Sequence, residues 1–304
     1  MIVVCGEALI DMLDNGDGTR RPVPGGGPFN TARALARLGI HCAFLGRLSE
    51  DGFGCLLSQQ LIEDGVSLDL ASHGPEPTTI ALADIDKDGF ANYEFFIEGT
   101  SAPSLTPDML PDELPPATTA IHIGTLGLLL EPIASTLVEL VRRERGRRLI
   151  MLDPNVRPAL MASPEYRPRL DWLISQSTIV KASSADLAWL YPGLAHTAAA
   201  ERILSNGPSL VLVTLGADGA FGATPNSCVY VSAPPVQVVD TIGAGDAFGA
   251  AALAWLHDRG LLRPHLSLAE DEVAPMLDFA CWAASLTCAR GGGEPPWRSE
   301  LGVH

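Results

Sequence analysis

The sequence has 304 residues, 47% of them apolar, which is enough for a sizeable core in one large α/β domain or two ordinary ones. Its 36 acidic and 20 basic residues give a formal net charge of −16. That charge argues against nucleic acid or an anionic membrane as the main partner, although a phosphate-bearing small molecule needs only a local pocket.

The six cysteines lie far apart and form no C-x-x-C pair, so we expect free thiols in a reducing cytosol. The first residues lack the basic segment of a signal peptide, and no run reaches the ~18 apolar residues of a membrane-spanning helix. A cytoplasmic protein is therefore predicted. The seven histidines are scattered without an H-E-x-x-H pair, so no zinc site is expected.

Short β-rich runs alternate with helical patterns along the chain. Residues 2–7 predict a strand, 29–39 a helix, 41–48 a strand and 52–65 a helix, and each helix ends in a glycine. Further strands are predicted at 119–126, 148–154, 177–183 and 209–216, with helices at 132–146 and 165–176. Continuous apolar strands alternating with helices are typical of a mainly parallel sheet that is covered on both faces.

Two stretches depart from this alternation. Residues 12–27 carry Asn-Gly and Asp-Gly turn signals, and residues 78–102 predict two strands around DKDG at 86–89. Together they predict a small β-sheet separate from the main one, acting as a lid, a dimer surface or both.

A run of three glycines at 25–27 leads into the predicted helix 29–39. Glycines let a ligand press against the backbone, and Asn30 offers both a donor and an acceptor, which suits vicinal hydroxyls. Asn30 also fits an ordinary helix start. Asp11 follows the first apolar strand, where a carboxylate can accept two hydrogen bonds from sugar hydroxyls.

A β-branched run at 236–239 predicts a strand before a motif of small residues. Gly243, Ala244 and Gly245 fall in the predicted first turn of a helix, where free N–H groups and the helix dipole favour an anion. Asp246 brings a carboxylate to the same place. An acid repels a bound anion, so it is useful there as the acceptor of a proton from an attacking hydroxyl. The alternative is that Asp246 only complements the helix dipole.

Segments 25–54 and 238–256 resemble the N-terminal and C-terminal signatures of the ribokinase or PfkB family of carbohydrate kinases. Four further stretches of this chain are most similar, within that family, to the bacterial fructokinases: DPNVRP, WLYPG, VTLGADGA and LTCARGGGEPP. The resemblance implies one ribokinase-like domain over residues 1–304, with a three-layer α/β/α core and a small β-sheet lid at about 12–24 and 78–102. It also implies a homodimer through the lid, and ATP-dependent phosphorylation of a sugar hydroxyl with magnesium and, in many members, potassium.

Matching positions carry the functional roles of the family, with Asp246 as the catalytic base. The other implied residues are Gly243, Ala244 and Gly245 for the anion hole, Asp11, Gly26, Gly27 and Asn30 for the sugar, Thr214, Gly216 and Gly219 for the nucleotide, and Asp240, the carbonyl of Ile242 and residues 287–292 for potassium.

Two basic residues follow or end predicted strands at the expected ligand edge. Arg157 is predicted to reach the sugar or a phosphate, because a guanidinium is always charged. A surface ion pair is the alternative for it. Lys181 is predicted to bind the nucleotide, with a plain salt bridge or a solvated side chain as alternatives.

The chain departs from the family pattern at three places. Ser183 and Asp186 stand where the family often has Asn-x-x-Glu, so Asp186 is expected to reach magnesium through water. Cys281 replaces the usual asparagine beside the adenine, which predicts a more apolar base site. Gly27 lies where several members carry lysine, which favours the fructokinase-like members over ribokinase.

The sequence therefore predicts an ATP-dependent sugar kinase with fructose as the favoured acceptor. Ribose, a 2-keto-3-deoxy sugar acid or a nucleoside stays open as the acceptor in the same family. A non-catalytic sugar or nucleotide sensor is the alternative of another class, although a sensor need not keep Asp246. A dinucleotide-dependent dehydrogenase is not expected, because no G-x-G-x-x-G follows the first strand.

Overall fold

Strands and helices alternate along most of the computed structural model, which describes residues 1–15, 17–85, 91–160 and 164–302. The strands are β1 (Ile2–Cys5), β2 (Leu9–Asp14), β3 (Arg20–Gly25), β4 (Cys42–Leu45), β5 (Arg47–Ser49), β6 (Ser72–Gly74), β7 (Ile80–Ile85), β8 (Ala91–Phe96), β9 (Ala120–Gly124), β10 (Leu149–Asp153), β11 (Ile179–Ser183), β12 (Leu210–Thr214), β13 (Ala220–Ala223) and β14 (Cys228–Val231). The α-helices in these ranges are α1 (Gly27–Arg37), α2 (Gly52–Asp64), α3 (Ile133–Glu144), α4 (Tyr166–Gln176), α5 (Ser184–Leu190), α6 (His196–Leu204), α7 (Ala244–Asp258) and α8 (Glu270–Cys288).

The main sheet has eight strands in the order β14-β13-β12-β11-β10-β9-β1-β4. All neighbours from β12 to β4 pair in parallel, and β13 and β14 add an antiparallel edge. Strand β1 shows why the strands are apolar throughout: Ile2 and Val4 pack into one core cluster, whereas Val3 and Cys5 pack into the other. Successive side chains of a strand point to opposite faces, and both faces of this sheet are buried.

Helices cover both faces of the main sheet. Phe29 of α1, Phe248 of α7 and Leu277 of α8 lie in one core cluster, and Leu137 of α3 and Leu170 of α4 lie in the other. Helix α2 joins the first group, and α5 and α6 join the second. This arrangement confirms the predicted three-layer α/β/α core.

A second sheet of four strands has the order β3-β2-β7-β8 and corresponds to the predicted small β-sheet. The DKDG turn at 86–89 lies outside the described residues. The sheet begins earlier than predicted, so Asp11 lies inside β2, opposite Val23 and Ala81, and does not end a strand of the main sheet. The chain leaves the main sheet at Gly6, whose φ of +147° and contact with Pro28 suit only a glycine.

The predicted strand at 236–239 is wrong. Two consecutive prolines, Pro234 and Pro235, precede it and have no N–H to donate to a ladder. The N–H groups of Val239 and Asp240 instead donate to the carbonyl of Cys288, at 2.8 and 3.2 Å. The segment is therefore tied to the end of α8 and leads directly into the turn before α7.

The helix boundaries follow from local chemistry. Helix α1 begins at Gly27, two residues earlier than predicted, because Pro28 suits the first turn of a helix. Helix α2 ends at Gly65, as predicted, with a φ of +93°. Within the described ranges, no helix is long and apolar enough to cross a membrane.

Candidate active site

A cavity of about 340 Å³ lies between the small sheet and the carboxyl edge of the main sheet. Its walls combine charged, polar and glycine residues. They include Glu7, Asp11, Gly26, Gly27, Asn30, Phe95, Thr125, Arg157, Lys181, Ser183, Asp186, Thr214, Gly243, Gly245 and Asp246. The structure thus brings together the predicted sugar-contacting residues and the predicted base, which are far apart in the sequence.

Asp246 lies in the first turn of α7 and is 8% exposed. Its Oδ2 accepts a hydrogen bond of 2.9 Å from Nδ2 of Asn30. Burial raises the pKa of Asp246 to about 6, although the positive charge of Lys181 opposes the shift. A carboxylate with such a pKa is ionised at neutral pH and is still basic enough to accept a proton.

The N-terminus of α7 is built from small residues. Gly243 caps the helix with a φ of +73°, and a Cβ on it would lie 3.0 Å from Cα of Gly293. The N–H of Ala244 donates to the carbonyl of Thr241 at 3.3 Å, so it is partly engaged within the turn. Gly245 lines the cavity, and a Cβ on it would lie 2.8 Å from Nζ of Lys181. An anion can therefore approach this helix end between the backbone and a lysine.

Lys181 forms a buried ion pair with Asp153, with 2.8 Å between Nζ and Oδ2. Burial would lower the pKa of Lys181, but Asp153 and Asp246 raise it, so the ammonium group stays charged. The salt bridge considered from the sequence is present, and Lys181 also lines the cavity. One oxygen of Asp153, Oδ1, is buried and has no hydrogen-bond partner in the described part of the chain.

The residues predicted to bind the sugar line the same cavity. Burial raises the pKa of Asp11 to about 7, against the influence of Arg157. A Cβ on Gly25 would lie 2.1 Å from Oδ2 of Asp11, so a side chain there would displace the Asp11 carboxylate from its position. Oδ1 of Asn30 is buried without a partner among the described residues, which leaves it available as an acceptor.

Arg157 lies in the loop after β10 and is half-buried. Its Nη1 donates to Oδ1 of Asn155 at 2.6 Å and to the carbonyl of Val156 at 3.2 Å. Asn155 has a φ of +38°, so the loop turns sharply enough for Arg157 to contact the two residues that precede it. This anchoring holds the guanidinium at the cavity wall.

A second cavity of about 470 Å³ adjoins the first. Mainly apolar residues line it, including Ala217, Pro234, Pro235, Val236, Val238, Phe248, Cys281 and Ala284, together with Gly216 and Gly219. Thr214, Thr241 and Gly245 belong to both cavities. Its apolar walls suit an aromatic base, and the shared residues place the two cavities end to end.

Two glycines and a cysteine shape this second cavity. Gly216 and Gly219 have φ values of +63° and +103°, and a Cβ on Gly219 would lie 2.1 Å from the carbonyl oxygen of Val231. Cys281 is 5% exposed, and burial raises the pKa of its thiol to about 12. An uncharged thiol there agrees with the expected apolar base site.

Asp240 lies where potassium binding is predicted. Its Oδ1 accepts from the N–H of Ile242 at 3.0 Å, and its Oδ2 accepts from the N–H of Gly292 at 2.9 Å. The carbonyl oxygen of Gly293 lies 3.2 Å from the position that a Cβ on Gly243 would take. Oxygen donors beside facing glycines fit a hard cation, so these residues are compatible with potassium.

Asp186 lines the first cavity, but its oxygens already accept hydrogen bonds. Oδ1 accepts from the N–H of Val156 at 2.7 Å, and Oδ2 accepts from the N–H and hydroxyl of Ser183, both at 2.7 Å. In the described part of the chain, no group of three or more His, Cys, Asp or Glu residues could hold a metal. Magnesium keeps several waters and binds chiefly through phosphates, so a contact through water fits Asp186.

Sequence reasoning missed Glu7 and Asp153. Glu7 is 2% exposed, and it accepts hydrogen bonds from the hydroxyl of Thr125 and from the N–H of Gly127, the latter at 3.1 Å. Burial raises its pKa to about 7. Each of these acids stands at the carboxyl end of a predicted apolar strand, which is the signal that could have identified them.

In this α/β structure, an acid-lined polar cavity meets an apolar cavity at the N-terminus of a helix. This arrangement suits the transfer of a phosphoryl group to a hydroxyl. The family model for pfkB family carbohydrate kinases matches residues 1–300. A fructokinase from Rhizobium leguminosarum bv. trifolii is 40% identical over 279 residues, which cover 90% of this chain and 85% of that protein.

Two solved structures share the fold over nearly all of the chain. The fructokinase from Vibrio cholerae O395, with fructose, ADP and calcium ion bound, has a TM-score of 0.87 at 26% identity and covers 99% of this chain and 97% of its own. The fructokinase from Xylella fastidiosa with bound ATP has a TM-score of 0.89 at 27% identity and covers 99% and 96%. The chain belongs to the PfkB family of carbohydrate kinases.

Proposed function

We propose that this kinase is a fructokinase, which transfers the γ-phosphoryl group of ATP to a primary hydroxyl of fructose and releases fructose 6-phosphate and ADP. The observation that carries the proposal is the junction of the two cavities at Gly245, directly beside the buried Asp246. The proposal is supported by two solved relatives, one with fructose and ADP bound and one with ATP bound.

In the proposed mechanism, Asp11 and Asn30 hold the sugar hydroxyls, and Asp246 accepts the proton of the attacking one. The hydroxyl oxygen forms a new bond to the γ-phosphorus while the bond from that phosphorus to the bridging oxygen breaks, and the leaving electrons go to ADP. The hydrogen bond from Asn30 fixes the orientation of Asp246 beside the hydroxyl. The general base thus stands on the same helix end as the anion site.

The transferred group carries negative charge, which three features of this chain can balance. The N-terminus of α7 favours an anion near Gly245, and Nζ of Lys181 lies 2.8 Å from the position that a Cβ on Gly245 would take. The guanidinium of Arg157, in the wall of the polar cavity, is the third. Together these groups stabilise the charge that spreads over the phosphoryl oxygens in the transition state.

Two cations complete the proposal. Magnesium on the nucleotide phosphates would offset their charge, with Asp186 reaching it through water. Potassium held by Asp240 and the carbonyls of Ile242 and Gly293 would order the turn before α7. The argument for both is chemical: carboxylate and carbonyl oxygens are the ligands that these hard cations prefer.

We also propose that the small sheet closes over the sugar and excludes water as a competing acceptor. Leu9 and Phe95 of this sheet belong to a cluster that packs on Leu126 of the core. Phe96, at the edge strand β8, is 51% exposed and supports the predicted contact with a second subunit.

The pH dependence of kcat and of KM is expected to distinguish the roles of Asp246 and Asp11. Below pH 6, Asp246 binds a proton and cannot accept another, so kcat should fall about tenfold for each further pH unit. Below pH 7, Asp11 becomes protonated and loses acceptor capacity, so the KM for fructose should rise. Steady-state kinetics between pH 5 and 8 test both effects.

Asp11→Asn provides the control for these profiles. It should remove the change in KM near pH 7 and leave the fall in kcat near pH 6. A kcat that stays constant from pH 7 to pH 5 in the wild type would contradict the assignment of Asp246 as the base.

The acceptor is tested by a coupled assay of ADP release with fructose, ribose, 2-keto-3-deoxygluconate, adenosine and tagatose, each with and without potassium. We expect the highest kcat/KM with fructose and a higher kcat with potassium. A higher kcat/KM with another acceptor would identify that acceptor as the preferred substrate, and the protein would remain a kinase of the same family. If no sugar raises ADP release above background, the sensor alternative replaces the kinase.

A further inference from the structure

A cluster of charged side chains lies outside the residues that line the two cavities, and all of its members are buried except Glu294, whose side chain is 42% exposed. Arg33 and Arg37 of α1 are 3% and 7% exposed. Nε of each arginine pairs with a different oxygen of Asp64 at the end of α2, at 2.5 and 2.7 Å. Glu294 pairs with the same two arginines, at 2.9 Å from Nη2 of Arg33 and 2.5 Å from Nη1 of Arg37. We call these four residues the arginine cluster.

The arginine cluster is connected to the candidate base through helix α1. Arg33 lies three residues after Asn30 on α1, so the two side chains stand on the same side of the helix. Asn30 donates to Asp246. The position of α1 therefore sets the position of the hydrogen bond that orients Asp246.

The arginine cluster is connected to the anion site through Glu294. Glu294 directly follows Gly293, whose Cα packs against Gly243 at the N-cap of α7. The preceding residue, Gly292, donates its N–H to Asp240. The segment that carries Glu294 is thus the surface on which the first turn of α7 rests.

We propose that Glu294 is a positioning residue for phosphoryl transfer, which fixes the anion site at Gly243 and Gly245 relative to Asn30 and Asp246. The proposal rests on the kinase function proposed above. Glu294 joins α1 to the 292–294 segment through two ion pairs, beside the hydrogen bond of 2.8 Å from Nη1 of Arg37 to the carbonyl of Pro295, so the base and the anion site are held by connected elements. Asp64 binds the same two arginines from the end of α2, and it does not belong to the 292–294 segment.

Glu294→Gln and Asp64→Asn form a matched pair, because each removes one carboxylate charge from the same two arginines. Displacements of about 1 Å at a reacting centre can cost on the order of 10²-fold in rate. We expect E294Q to lower kcat about tenfold, with the KM for fructose unchanged within twofold and only a small fall in Tm. Asp64 is buried, so D64N should lower Tm more than E294Q does and leave kcat within twofold.

Kinetics with fructose and thermal unfolding of both variants provide the test. A kcat of E294Q within twofold of the wild type would overturn the inference, and so would an equal loss of kcat in D64N. If D64N does not fold, Glu300→Gln replaces it as control, because Glu300 forms its ion pair with Arg290, which lies outside α1. Activity of the wild type with fructose is measured first. Its absence would contradict the proposed fructokinase function itself, whereas normal wild-type activity lets the variants test the role of Glu294.

Discussion

Replacing Asp246 with asparagine is expected to lower kcat by about 10²–10⁴-fold while fructose and ATP still bind. Asparagine has the same shape, and its Oδ1 can still accept the hydrogen bond from Asn30. It cannot accept the proton of the attacking hydroxyl. Steady-state kinetics give kcat, and calorimetric titration with fructose and with ATP gives the two affinities.

Asp258→Asn is the matched control for this variant. Asp258 lies at the other end of α7 and pairs with Arg298 at the surface. The same chemical change there should leave kcat within twofold of the wild type. A kcat of D246N within tenfold of the wild type would show that Asp246 complements the helix dipole and is not the base.

Much of the main sheet could be predicted, because its strands carry their own signal. A strand buried on both faces must be apolar at every position, as β1 is, and such runs stand out between helical patterns. The small sheet was harder to delimit. Gly6 turns the chain out of the main sheet, and the sequence alone does not show that β2 begins at Leu9.

The wrong strand at 236–239 has a similar cause. Its β-branched residues favour extended backbone, but a strand also needs a partner ladder. Here Pro234 and Pro235 have no N–H to donate, and the N–H groups of Val239 and Asp240 bond to Cys288 of α8. The preference for extended backbone is local, whereas the hydrogen-bond partner is set by tertiary structure.

Some features of the candidate site could likewise be predicted from the sequence, and others could not. Gly243 and Asp246 are neighbours in the sequence, so their common helix end was visible there. The hydrogen bond between Asn30 and Asp246 spans 216 residues, and that between Thr125 and Glu7 spans 118. The topology of a parallel sheet brings such residues to one edge, but the particular pairs depend on packing that no local pattern encodes.

Replacing Gly245 with alanine is expected to lower kcat about 10²-fold without loss of stability. The added Cβ would lie 2.8 Å from Nζ of Lys181, in the passage that joins the two cavities. It would displace either the lysine or the transferring phosphoryl group. Alanine favours a helix over glycine by about 1 kcal/mol, so Tm should stay the same or rise.

Gly249→Ala separates this steric effect from a general effect of alanine in α7. Gly249 lies one turn further along the helix, and the nearest atom to its added Cβ is the flexible Cε of Met151 at 3.3 Å. The variant should gain the same helix propensity and keep kcat within twofold. If G245A and G249A had equal kcat, the passage at Gly245 could not be the path of the phosphoryl group. A loss confined to G245A, with both proteins equally stable, ties the rate to the space between Gly245 and Lys181.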